Sequence, residues 1–141
     1  MDHFRHILAP TDFSEASERG VDAATSLALE FDASLTLVHS YELPIYAYYV
    51  VDDVTAEVEA RARRKLDELL VRVRVRLPKA EGEVRQGAPW QGILDVAKER
   101  GTELIVLSTH GRNGVDRMLE GSVAEKIVRL SPVPVLTVGI K

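Results

Sequence analysis

The residues best suited to chemistry lie between Leu104 and Val123, LIVLSTHGRNGVDRMLEGSV. An apolar run, Leu104-Ile105-Val106-Leu107, gives way to Ser108-Thr109-His110-Gly111-Arg112-Asn113-Gly114. An amphipathic piece, Val115 to Glu120, then leads to Gly121-Ser122 and a helical pattern. The run fits a strand buried on both faces. Strand, glycine-bearing loop and helix start together make the usual build of a phosphate site. Glycine lets backbone approach an anion closely, and the unpaired N–H groups of a helix's first turn point at it. Arg112 offers a planar fork that suits phosphate oxygens; it reads equally well as a solvated arginine. His110 reads as a fastening of the loop by hydrogen bonds, because no partner suggests acid–base work.

Each of these residues also has a purely structural reading. Ser122-Val123-Ala124-Glu125 is a capping box, which accounts for Ser122 and Glu125 but not for Gly111 or Gly121. A cap still leaves first-turn N–H groups for a phosphate. Asp12-Phe13-Ser14-Glu15 is likewise a capping-type sequence, and Asp12 serves either a helix start or a nucleoside. The absences narrow the chemistry further. There is no Gly-x4-Gly-Lys-Ser/Thr to place a lysine on the terminal phosphates, and Gly111-Arg112-Asn113-Gly114 is not a dinucleotide fingerprint. No carboxylate cluster near the loop announces a metal pair. A nucleotide site without base, lysine or metal cage suits a sensor better than an efficient enzyme, so no catalytic residue is assigned.

The spacing Ser108-x2-Gly111-x9-Gly121-Ser122 resembles the nucleotide-binding signature of the universal stress protein family, Gly-x2-Gly-x9-Gly-Ser/Thr. Ile7-Leu8-Ala9-Pro10-Thr11-Asp12 and Pro132-Val133-Pro134-Val135-Leu136-Thr137-Val138 also match the family's opening and ending. One position departs, because the first signature glycine is Ser108 here. The resemblance covers residues 1–141 as one domain and implies an ATP-binding regulatory protein with at most slow hydrolysis. It implies that Pro10, Thr11 and Asp12 line an adenosine pocket with the backbone at Val38. Ser108, His110, Gly111, Arg112, Gly121, Ser122 and Val123 would then serve the phosphates and ribose. Mg²⁺ or Mn²⁺ would arrive with those phosphates rather than in a cage of its own. The competing functions are an interaction protein of the same fold that has lost nucleotide, which Ser108 favours, and an enzyme on a similar scaffold.

The elements that must position these residues alternate along the chain. Strands are expected at Phe4 to Ala9, Leu35 to His39, Glu83 to Gln86, Glu103 to Leu107 and Val133 to Val138. Helices are expected at Ser14 to Phe31, Val54 to Leu77, from Pro89 to Gly101, and Ser122 to Leu130. Val71-Arg72-Val73-Arg74-Val75 alternates like a strand, but Leu66, Leu70, Val73 and Leu77 keep helical spacing through it. Tyr41 to Asp53, with Tyr41, Tyr46, Tyr48 and Tyr49, reads as a long loop, a candidate lid or contact surface. Two-faced apolar strands in β-α alternation require an α/β fold: one open five-stranded parallel sheet with helices on both faces and one reversal of strand order. The resemblance selects the order 3-2-1-4-5, an adenine nucleotide hydrolase-like, Rossmann-like arrangement.

Size and composition agree with this reading. The chain has 141 residues and no cysteine, which excludes disulfides and thiolate chemistry. A formal charge of -4 argues against nucleic acid as the main partner. No segment is long and apolar enough to span a membrane, and Met1 to His6 lacks signal-peptide character, so a cytoplasmic location is expected. The apolar strand 133–138 falls at a sheet edge, which predicts a homodimer through it.

Overall fold

The computed structural model of this chain describes residues 4–43, 52–109 and 121–139. The elements run β1 (His6–Pro10), α1 (Glu15–Phe31), β2 (Ser34–Tyr41), α2 (Asp52–Arg74), β3 (Glu81–Gln86), α3 (Pro89–Glu99), β4 (Leu104–Ser108), α4 (Gly121–Leu130) and β5 (Val135–Val138). The strands form one parallel sheet in the order β3-β2-β1-β4-β5. The single reversal therefore falls between β1 and β4, as expected.

Alternation along each strand feeds two cores. Ile7, Ala9, Leu35, Leu37, Leu104 and Val106 face α1 and α2, against Val21, Ala24, Leu66 and Leu70. Leu8, Val38, Ile105 and Leu107 face α3 and α4, against Ile93, Val96 and Ile127. A strand with one apolar set for each side must be covered on both, which is why the central strands read as continuous apolar runs. The helical spacing prevails over the strand-like alternation in α2: Leu66, Leu70 and Val73 are buried and Val71 projects outward, but the helix ends at Arg74, short of the expected Leu77.

The boundaries differ from expectation in particular places. β1 ends at Pro10, and Tyr41 closes β2 instead of opening a loop. Tyr41 pairs in register with Gln86, buries its ring beside Leu43 and Ala62, and donates its hydroxyl to Glu59 at 3.3 Å. A ladder partner and a pocket for the ring make it structural; Tyr46, Tyr48 and Tyr49 lie outside the described residues. β5 begins at Val135, because Pro134 has no N–H to give a ladder and Ser131 and Val133 close a local turn before it. α3 has Pro89 in its first turn and is followed by Gly101 at φ 65°, where a side chain would be strained.

Candidate functional site

The reversal brings the carboxyl ends of β1 and β4 side by side. Their ladder covers Ile7–Leu104 and Leu8–Ile105, so Pro10 and Ser108 stand beyond it. On the other flank β1 is paired with β2 as far as Pro10–Val38. α4 starts after β4, with Gly121, Ser122 and Val123 in its first turn, where backbone N–H groups lack an intrahelical acceptor. Pro10, Thr11, Asp12, Val38 and Ser108 thus meet at one end of the sheet, and the topology starts α4 at that same end. His110, Gly111 and Arg112 lie outside the described residues.

α4 begins at Gly121, so Ser122 stands at the helix start, where the sequence reading put it.

Thr11 is fully buried and every polar group it has is engaged. Its N–H donates to the Val38 carbonyl at 2.9 Å, and its own carbonyl accepts from His39 Nδ1 at 2.9 Å. Its hydroxyl accepts from the Phe13 N–H at 2.9 Å and lies 3.2 Å from Ser17 Oγ. Ser17 spends its only hydroxyl proton on the Ser14 carbonyl, so Thr11 is the donor of that last pair. Thr11 is therefore a tie between β1, β2 and α1. Asp12, half-buried, accepts the Ser14 N–H at Oδ1, and Ser14 in turn caps α1 by accepting the Ser17 N–H at 3.2 Å. The capping sequence read at Asp12 to Glu15 is real, with Ser14 as the cap and Asp12 as the turn before it.

Ser108 is also fully buried. Its Oγ accepts the backbone N–H of Gly20 at 2.7 Å, and a Cβ built on Gly20 would stand 2.8 Å from Ser108 N and 2.9 Å from its Oγ. The serine hydroxyl thus points into the α1 layer, and Ser108 is absent from the positive-φ residues. The departure from the family glycine is accommodated by a glycine opposite it.

Two residues at this end carry no motif and escaped sequence reasoning. Phe13 has φ 66°, a left-handed conformation rare for an aromatic residue. His39 lies beneath it, ring centroids 4.4 Å apart. Burial is the largest influence on His39 and lowers its pKa; the Thr11 carbonyl and Asp12 push the other way. The ring is thus neutral at pH 7. Because a carbonyl only accepts, the proton sits on Nδ1. A histidine within β2, directly after Leu37-Val38 and two positions before Tyr41, was the signal that could have found it.

The match to known proteins follows this geometry. Residues 3–139 match the model of the universal stress protein family, and the chain belongs to that family. It is 33% identical over 145 residues to universal stress protein A homolog 1 of Coxiella burnetii, covering 99% of each chain. Among solved structures it is similar to UspA from Lactobacillus plantarum, with TM-score 0.79, 26% identity and 98% and 99% of the two chains covered. It is also similar to a universal stress protein solved in complex with cAMP, with TM-score 0.68, 25% identity and 97% and 98% coverage.

Proposed function

We propose that this chain binds an adenine nucleotide, ATP, in the crevice between the carboxyl ends of β1 and β4, and acts as a regulatory or sensor protein in stress response. The observation that carries the reading is the reversal itself. An open α/β sheet takes its ligand where strand order reverses, and here that point holds a braced turn on one side and a helix N-terminus on the other. The similar protein solved with cAMP supports the ligand class. In this reading Pro10, Asp12 and the second lone pair of the Val38 carbonyl face the nucleoside, while Thr11 and Ser108 hold the walls from behind. Gly111, Gly121, Ser122 and Val123 supply backbone N–H groups to the phosphates, with His110 and Arg112, the sequence neighbours of Gly111, assigned to the same ligand. Mg²⁺ or Mn²⁺ comes with the phosphates; among the described residues no group of three His, Asp or Glu is arranged to hold a metal. Hydrolysis is at most slow, and the location is the cytoplasm. No helix among the described residues is long and apolar enough to cross a membrane. Mass spectrometry of the small molecule released on denaturing the purified protein tests the reading. An adenine nucleotide is expected, and a protein that neither carries nor takes up one contradicts it.

The proposal includes a homodimer through β5. The two sheet edges differ in kind. At β3, Arg85 pairs with Glu83 and Glu99 at 2.6 Å each, and Arg100 pairs with Glu81 at 2.7 Å and with Glu83. Charge on an edge strand discourages pairing with another chain. At β5, Leu136 is 42% exposed, and Val128 and Leu130 of α4 are also exposed apolar residues. A twofold partner is the simplest closed cover for such an edge. Leu136→Lys should shift the protein to monomer in sedimentation velocity; an unchanged assembly would reject this interface.

A further inference from the structure

We infer that His39 is the positioning residue of the nucleotide turn: its Nδ1–H fixes the Thr11 carbonyl and its ring supports Phe13, so that residues 10–13 hold their shape before any ligand arrives. The inference rests on the nucleotide reading above for its functional meaning, but its structural content stands alone. Phe13 occupies a left-handed backbone conformation that persists only where surroundings over-determine it. Three contacts do so. Its N–H is held by Thr11 Oγ1, its ring lies on His39, and Asp12 fixes the next residue through the Ser14 N–H. His39 joins two of the three, since the Thr11 whose hydroxyl holds Phe13 is itself held through its carbonyl.

The surroundings of His39 keep this arrangement in one protonation state. Asp12, in the β1–α1 connection, and Lys65, on α2, oppose each other in charge at the ring, and Lys65 Nζ also lies 5.9 Å from the Phe13 ring centroid. Tyr41, on the same strand, is stacked at 6.4 Å and is tied by its hydroxyl to Glu59 of α2. A neutral imidazole with its proton on Nδ1 satisfies the Thr11 carbonyl and keeps charge out of the space below the turn. A lysine or glutamine at this position would not place a donor so close to its own backbone, whereas asparagine places its amide nitrogen where Nδ1 stands.

The test uses three full-length proteins: wild type, His39→Asn, which keeps the donor and loses the ring, and His39→Phe, which keeps a ring and loses the donor. ATP is titrated by calorimetry, and the His39 tautomer of the wild type is read by ¹H–¹⁵N NMR. The expected result is a proton on Nδ1, an ATP affinity for His39→Asn within about threefold of wild type, and a loss of about tenfold or more for His39→Phe, the cost of leaving a buried carbonyl unpaired. Wild-type affinity in a folded His39→Phe protein, or equal losses in both variants, would overturn the inference. So would a proton on Nε2, a result that does not require either variant to fold. If the wild type binds no ATP, the nucleotide reading fails, and His39 is judged by amide exchange. Faster exchange at Phe13 in His39→Phe than in His39→Asn upholds the positioning role, and equal protection overturns it.

Discussion

The two ends of the sheet treat the β1–β4 seam differently. At the amino end the seam is stitched across. Glu103, just before β4, accepts the Arg5 N–H at 2.6 Å and the His6 N–H at 3.2 Å on its carboxylate, and donates its own N–H to the His6 carbonyl at 2.9 Å. At the carboxyl end the braces run sideways. Thr11 is tied to β2 and α1, and Ser108 is tied to α1. Bracing each strand end from its flank leaves the space between the ends to the ligand proposed above, and the same hydrogen-bonding groups placed across the seam would close it.

Substitutions at the two ends should therefore separate binding from stability. Gly121→Val puts a branched side chain at the phosphate side of the crevice and should reduce ATP affinity a hundredfold or more, about 3 kcal/mol, with the melting temperature little changed. A simultaneous collapse of stability would show that Gly121 is a folding residue. Gly20→Ala attacks the flank. Its Cβ would meet the Ser108 backbone nitrogen at 2.8 Å, and the helix must shift, so a stability loss of roughly 1–3 kcal/mol in urea denaturation is expected. A neutral outcome would mean that α1 is not pressed against β4 as described.

Glu103→Gln attacks the stitched end and should lower the melting temperature at neutral pH while leaving ATP affinity unchanged. Its pH dependence gives the sign. The Arg5 N–H, with help from the His6 N–H, holds the Glu103 carboxyl below its ordinary value. The folded state therefore binds fewer protons than the unfolded state, and the stabilisation is present above the unfolded carboxylate value and lost as pH falls through the folded one. The wild type should lose stability more steeply on acidification than Glu103→Gln. Parallel acid limbs would remove Glu103 from the account.

Much of this contrast was legible in the residues. Ile7-Leu8-Ala9 and Leu104-Ile105-Val106-Leu107 announce strands covered on both faces, and β-α alternation then requires a reversal with its crevice. Gly111 and Gly121 suggest a phosphate side only when the family resemblance is added to their spacing, and Gly111 lies outside the described residues. The β1 side was legible only in part. Thr11 reads as a ligand residue, yet its position at a strand end turns every polar group inward. His39 carries no motif, and Phe13 is a residue type from which positive φ is not expected; both depend on long-range packing of α2 and β2. Tyr41 was drawn into the following tyrosine-rich loop because its strand partner, Gln86, is distant in sequence.

The smallest expected effect is the most informative. With its hydroxyl turned to Gly20, Ser108 stands behind the crevice wall, so Ser108→Gly should change ATP affinity by less than about tenfold. Calorimetric titration of ATP into the wild-type protein, with Ser108→Gly measured beside it, tests the central claim most directly. The account predicts saturable binding by both in the micromolar range, about -8 kcal/mol. No binding by the wild type, with binding restored in Ser108→Gly, would contradict it and show a crevice closed by the serine.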